Sequence, residues 1–137
     1  MLLREVFNFS NGKSKNRLAI GKNPIYGSTG IIGYTDNVLF SGENTLIARV
    51  GANCGYCQFV KGKYWVTDNT IVATTKSGFI PRYGYYLLSM QDIQRLKIGA
   101  AQPLLTIGIV NSINVKVHTL SEQQHIVDTN TLEVEAC

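Results

Sequence analysis

The sequence predicts a strand-rich α+β fold: one globular domain with an internal helix and the start of a C-terminal helix. Three observations predict it. Apolar, β-branched runs recur between turn formers at "TLIARV" (45–50), "YCQFVKGKYWVTD" (56–68) and "TIVATTK" (70–76). The hydrophobic period then changes at "PRYGYYLLSMQDIQRLKIG" (81–99), where apolar residues fall three or four apart. Finally, 137 residues with 45% hydrophobic and 16% charged content suit one core and exclude a disordered chain.

Taken in order, residues 3–9 form a short apolar element, helix or strand. Residues 10–24, "SNGKSKNRLAIGKNP", are basic and rich in turn formers and are expected to be loop. Residues 25–44 are too glycine-rich for regular structure. The run "YCQFVKGKYWVTD" reads as a hairpin turning at Lys61-Gly62-Lys63. Pro81 suits a first helical turn and Gly99 a helix end, with Tyr83, Tyr86, Leu87, Met90 and Ile93 on one stripe. Gly84 weakens that helix by ~1 kcal/mol relative to Ala. "GAAQPLLT" (99–106) is loop, and "SINVKV" (112–117) alternates like an edge or half-exposed strand. A last helix opens at "LSEQQHIVD" (120–128), with Ser121 as N-cap and Gln124 as its capping-box partner. It is expected to stop where Thr129, Asn130 and Thr131, poor helix formers, follow.

All 13 lysines and arginines, but only five of the nine acids, lie in residues 1–121, a local balance of +8. The last sixteen residues hold the other four acids. A basic body of this kind suits a polyanion such as duplex DNA, although a generally basic domain shows the same balance. No stretch reaches the ~18 apolar residues of a membrane span. Arg4 and Glu5 stand where a signal peptide would be apolar, so the chain is expected in the cytoplasm with reduced cysteines.

Catalytic motifs are incomplete. In "NPIYGSTGIIGYTD" (23–36) the glycines are spaced G-x-x-G-x-x-G, not as in a dinucleotide fingerprint. "NGKS" (11–14) lacks the first glycine of a phosphate-binding loop, because position 7 is Phe7. "CGYC" (54–57) has redox spacing, but a strand-like run follows it instead of the helix that lowers a thiol pKa. The remaining Cys137, His118 and His125 are not paired at zinc-ligand spacing. Asp36, Glu43 and Asp68 lie singly, so no two-metal nuclease site forms. No cofactor and no metal are expected. Tyr83, Tyr85 and Tyr86 could stack bases, but at helical spacing core packing is the first reading.

Five phrases in order, "NPIYGSTGIIGYTD", "TLIARVGANCGYCQFVKGKYWVTDNTIV", "YYLL", "GAAQPLLT" and "LSEQQHIV", resemble the target recognition domain of type I restriction–modification specificity subunits. The resemblance spans about Leu3 to Val127. It implies a non-catalytic reader of one half of a bipartite site in double-stranded DNA. It also implies partnership with an adenine methyltransferase subunit and, through the complex, a restriction subunit. Residues 1–119 would be the recognition domain, and 120–137 a truncated start of the spacer helix with an acidic tail. Two departures stand out: "VHTLSEQQ" replaces the usual proline-rich turn, and the spacer is short. The chain is therefore expected to be monomeric or only weakly dimeric and to bind a single half-site. A partial or silent recombination cassette, an interaction module without independent activity, is the alternative.

On this reading the glycines build a tight loop that brings backbone close to DNA. Lys13, Lys15, Arg17, Lys22, Lys61 and Lys63 are candidate phosphate contacts. Arg49 and Gln102 are candidate base readers, since Arg suits guanine and Gln adenine. Alternatively, Arg49 pairs with Asp36 or Asp68 and Gln102 braces its loop. Ser28, Thr29 and Asn53 complete the DNA-binding set.

Overall fold

In the computed structural model, residues 1–14, 20–96 and 104–136 are described. Lys15, Arg17, Gln102 and Gly99 lie outside them. The first apolar element is both things in turn: helix α1 (Leu3–Val6) runs straight into strand β1 (Phe7–Asn11). Strands β2 (Asn23–Gly27), β3 (Gly30–Thr35), β4 (Phe40–Ser41), β5 (Asn44–Ala48), β6 (Cys57–Val60), β7 (Lys63–Val66) and β8 (Thr70–Thr75) follow. Helices α2 (Pro81–Met90), α3 (Ile107–Asn111) and α4 (Leu120–Ala136) complete the chain, with a 3-10 turn at Ile93–Leu96.

The strands form two four-stranded sheets, ordered β1-β8-β5-β6 and β3-β2-β7-β4. The first is antiparallel throughout. The second contains one parallel pair, β2 with β7. Because strand side chains alternate between faces, β5 sends Leu46 one way and Ile47 the other, and β8 does the same with Val72 and Ile71. Leu46, Val60 and Val72 meet Tyr64, Val66, Tyr26 and Phe40 of the second sheet. Phe7, Ile47, Ile71 and Ala73 meet Leu3 and Val6 of α1, Tyr83, Leu87 and Leu88 of α2, and Val110 of α3. The first sheet is thus the middle of three layers, which explains why all five residues of β5 are buried.

Several expectations are corrected. The glycine run is not irregular: it is the β2–β3 hairpin, with Gly27 opposite Gly30. Gly30 sits at φ +147°, a backbone region that L side chains rarely adopt. The Lys61-Gly62-Lys63 turn does not close a hairpin. β6 pairs with β5 while β7 pairs with β2 and β4, so the turn carries the chain from one sheet to the other. Residues 112–117 form no strand; their backbone serves the N-terminus instead, with Leu3 N donating to Ile113 O at 2.8 Å and Val115 N to Met1 O at 2.8 Å. Helix α3 was not expected, although Thr106 caps it by accepting from Ile109 N at 3.1 Å. Helix α2 ends at Met90, whose side chain is 82% exposed and not on the buried stripe.

The start and length of α4 are corrected too. The capping box is Thr119–Glu122, two residues earlier than Ser121–Gln124: Glu122 N donates to Thr119 Oγ1 at 3.2 Å and Thr119 N to Glu122 Oε1 at 3.0 Å. Those bonds hold the Glu122 carboxyl below its usual range. The helix passes through Thr129, Asn130 and Thr131 and reaches Ala136. Propensity penalties of ~0.7 kcal/mol or less per residue do not stop a helix already nucleated and docked. Docking is done by Gln123, which is buried. Its Oε1 accepts from Ile80 N at 2.9 Å, and its Nε2 donates to Gly78 O at 3.2 Å and His118 O at 3.0 Å. Alongside, the Tyr83 hydroxyl accepts from His118 N at 3.1 Å and contacts His118 Nδ1 at 2.8 Å. Both residues are thereby structural.

Candidate nucleic-acid interface

Three connections converge at one end of the two sheets: the β2–β3 turn at 28–29, the β5–β6 loop at 49–56 and the β7–β8 turn at 67–69. The strand directions bring them there. β2 and β7 run parallel, with Ile25 opposite Trp65, so both end on the same side. β5 ends there as well, since Ala48 pairs with Thr70 at the start of β8. Hydrogen bonds tie the connections together. Thr67 N donates to Tyr26 O at 3.0 Å, Ser28 Oγ to Asn69 O at 3.4 Å, and Gln58 Nε2 to Gly27 O at 3.0 Å. Arg49 binds the β7–β8 turn twice, through its backbone N to Asn69 O at 3.0 Å and through Nη1 to Asp68 O at 2.9 Å.

Of the sequence-predicted residues, Ser28, Thr29, Arg49 and Asn53 are gathered in this cluster. Lys13 stands beside it, because its backbone N donates to Val66 O at 2.9 Å and its carbonyl accepts from Trp65 Nε1 at 2.8 Å. Thr29, Asn53 and Lys13 are exposed, and Ser28 is half-buried. Lys22, Lys61 and Lys63 are exposed but lie at the opposite ends of β2, β6 and β7, about four strand residues or ~13 Å away. An acid, Glu43, neighbours them: Gly42 N donates to Gly62 O at 2.8 Å, which places the two turns side by side. Arg49 does not form the ion pair weighed from sequence; its partner is a main-chain carbonyl. Lys15, Arg17 and Gln102 lie outside the described residues.

Asp68 and Asn69 were missed as candidates. The signal was present: "VTDNTI" is a short polar break between two apolar runs. Sequence alone does not show that it stands at the centre of a loop cluster, because β7 and β8 belong to different sheets.

Cys54 is buried with Sγ against Arg49 O at 3.4 Å. Burial pushes the Cys57 thiol up to about 12, so the reactive thiolate is not formed near neutral pH. Among the described residues no three His, Cys, Asp or Glu are grouped to hold a metal ion. Tyr85 and Tyr86 are half-buried; Tyr85 packs with Tyr86 and with Phe59, over which Arg82 lies 4.6 Å from the ring centre.

A double-sheet scaffold that presents joined polar turns at one end is a frame on which loops carry function. The sequence model of the type I restriction modification DNA specificity domain matches residues 1–130. The chain belongs to this family. This DNA specificity domain is 29% identical over 103 residues to the EcoprrI specificity subunit of Escherichia coli, a stretch covering 75% of this chain and 26% of that protein. Its fold matches the crystal structure of a type I restriction–modification S subunit from M. genitalium, with TM-score 0.86 and 18% identity over 98% of this chain and 38% of that one. It also matches a chain from a structural study of complex assembly and conformational transition in the type I system, at TM-score 0.77 and 16% identity, covering 98% and 38%. At such identities the two structural matches speak for the fold. The DNA specificity domain spans about a quarter of the curated relative's length. Among its described residues no helix is long and apolar enough to cross a membrane.

Proposed function

We propose that the chain reads one half of a bipartite site in double-stranded DNA, without catalysing a reaction, as a specificity component of a type I restriction–modification system. In that role it would work in the cytoplasm beside an adenine methyltransferase subunit and, through the assembled complex, a restriction subunit. The observation that carries the reading is the joined turn cluster in a chain of the DNA specificity family. Side chains that read a major groove must be held on a rigid frame, and here three turns brace one another through main-chain carbonyls. The basic body supplies the sequence-independent attraction.

Phosphate contacts are drawn from Lys13, Lys15, Arg17, Lys22, Lys61 and Lys63. With about five of them engaged, log K for duplex DNA falls against log[salt] with a slope of about −4 to −5. Fluorescence anisotropy across a salt series measures it. A flat response would remove DNA as the ligand.

A further inference from the structure

We propose that Asp68 and Asn69, at the tip of the β7–β8 turn, are specificity-determining residues. Asn69 hydrogen-bonds an adenine edge, and Asp68 accepts from a cytosine amino group in the major groove. The assignment rests on the DNA-reading function proposed above.

The turn is held as a reading element needs to be. Thr70 N closes it onto Thr67 O at 3.2 Å. The Asp68 carbonyl is taken by Arg49 Nη1, and the Asn69 carbonyl by Arg49 N and Ser28 Oγ. Two other segments, at Arg49 and Ser28, therefore fix its backbone. Both side chains are exposed, and neither makes a hydrogen bond or ion pair with the described residues. Asp and Asn often occupy turns because they bond to nearby backbone. Here neither does so, and that ordinary reason for their presence is missing.

Charge narrows the choice further. A carboxylate on a surface facing DNA is repelled by phosphates. It becomes favourable where it meets a base-edge donor, and in the major groove cytosine N4 is the group that Asp accepts from. Asn69 offers one donor and one acceptor, the pattern that matches adenine N6 and N7. Arg49, by contrast, spends Nη1 on the turn's own backbone and is a positioning residue.

The test is selection of bound sequences from a random duplex pool, followed by sequencing, with the 137-residue chain and its variants. Thermal melts show in parallel that each exposed substitution leaves the fold intact. The wild type enriches a motif. Asn69→Ala loses preference at one position by roughly 5- to 150-fold, while affinity for unselected duplex stays within about twofold. Asn69→Asp shifts that position from adenine toward cytosine, because it replaces a donor with an acceptor. Asp68→Ala relaxes a neighbouring cytosine. A motif unchanged in all variants would overturn the assignment and leave DNA reading in place. So would a loss shared equally by selected and unselected DNA, or an Asp68→Ala gain on all DNA without a change of motif. A wild type that enriches nothing would overturn DNA reading itself, and the assignment with it.

Discussion

The two sheets contain the same number of strands but are built to different rules. The β1-β8-β5-β6 sheet is covered on both faces, by helices on one side and by its companion on the other. Its central strands are therefore apolar at consecutive positions, as in "TLIA" and "TIVA". The β3-β2-β7-β4 sheet meets its companion with the face that carries Tyr26, Tyr64 and Val66; on the other face Ile25 is buried, but the cover thins toward the edge. Its edge strand β3 leaves Ile31 and Tyr34 about half exposed, at 49% and 48%. The first sheet lies at the middle of the packing, and turns from both sheets meet at one end. Surface turns on such a frame can vary in sequence at little cost to folding.

The largest expected contrast comes from the same truncation in each sheet. Ile47 is fully buried in the middle layer. Ile47→Ala should cost ~2–5 kcal/mol, from lost burial and the cavity left behind. Ile31→Ala should fall within ~0.5 kcal/mol of wild type. Urea unfolding of both variants measures the difference. Similar losses at the two sites would show that the β3 face is covered and would erase the distinction between the sheets.

That distinction also explains what was legible in the sequence. Strands β5 and β8 and helix α2 were visible because their apolar patterns are strong and local. Strand β3 was hidden: Gly30 and Gly33 suggested irregular chain, yet an edge strand tolerates glycine where its outer face needs no packing. The Lys61-Gly62-Lys63 turn was placed correctly and misread, since its flanking strands pair with partners distant in sequence. The extra length of α4 was missed because its propensity is poor, while Gln123 anchors it by three bonds that no periodicity reveals. The candidate site was half legible. Ser28, Thr29, Arg49 and Asn53 do meet, whereas Lys22, Lys61 and Lys63 share their charge but stand at the other end of the strands.

A smaller effect tests how closely α2 covers the middle sheet. A Cβ added at Gly84 would lie 2.8 Å from Phe7 Cε1 and 2.8 Å from Thr75 Cγ2. Helix propensity favours alanine there by ~1 kcal/mol. Overpacking against a buried ring and a β-branched residue costs ~1–3 kcal/mol. The contact should win, and Gly84→Ala should be destabilised by about 1 kcal/mol in urea. A stabilised variant would mean that helix and sheet part easily, and that Gly84 is present for some reason other than close approach.

The smallest expected effect concerns the polar link between the sheets. Asn44 of β5 donates through Nδ2 to the Tyr64 hydroxyl of β7, and the hydroxyl donates in turn to Gly42 O at 3.3 Å. Asn44 Oδ1 accepts from Thr74 Oγ1 at 2.8 Å, so the amide stays anchored whatever happens to the phenol. Tyr64→Phe keeps the buried ring and removes one hydroxyl. Its cost should be that of an ordinary hydrogen bond, ~0.5–1.5 kcal/mol. Burial raises the Tyr64 pKa; the Asn44 bond opposes the rise and Tyr26 adds to it. A raised acid favours the folded state below its unfolded pKa of about 10, because both states then carry the proton. As pH climbs from there through the folded value, the unfolded chain loses its proton first, and stability falls. Urea midpoints measured from pH 8 to 11 should therefore decline for wild type more steeply than for Tyr64→Phe. Equal slopes would place the hydroxyl in contact with water, and Tyr64 would then contribute its ring alone to the joint between the sheets.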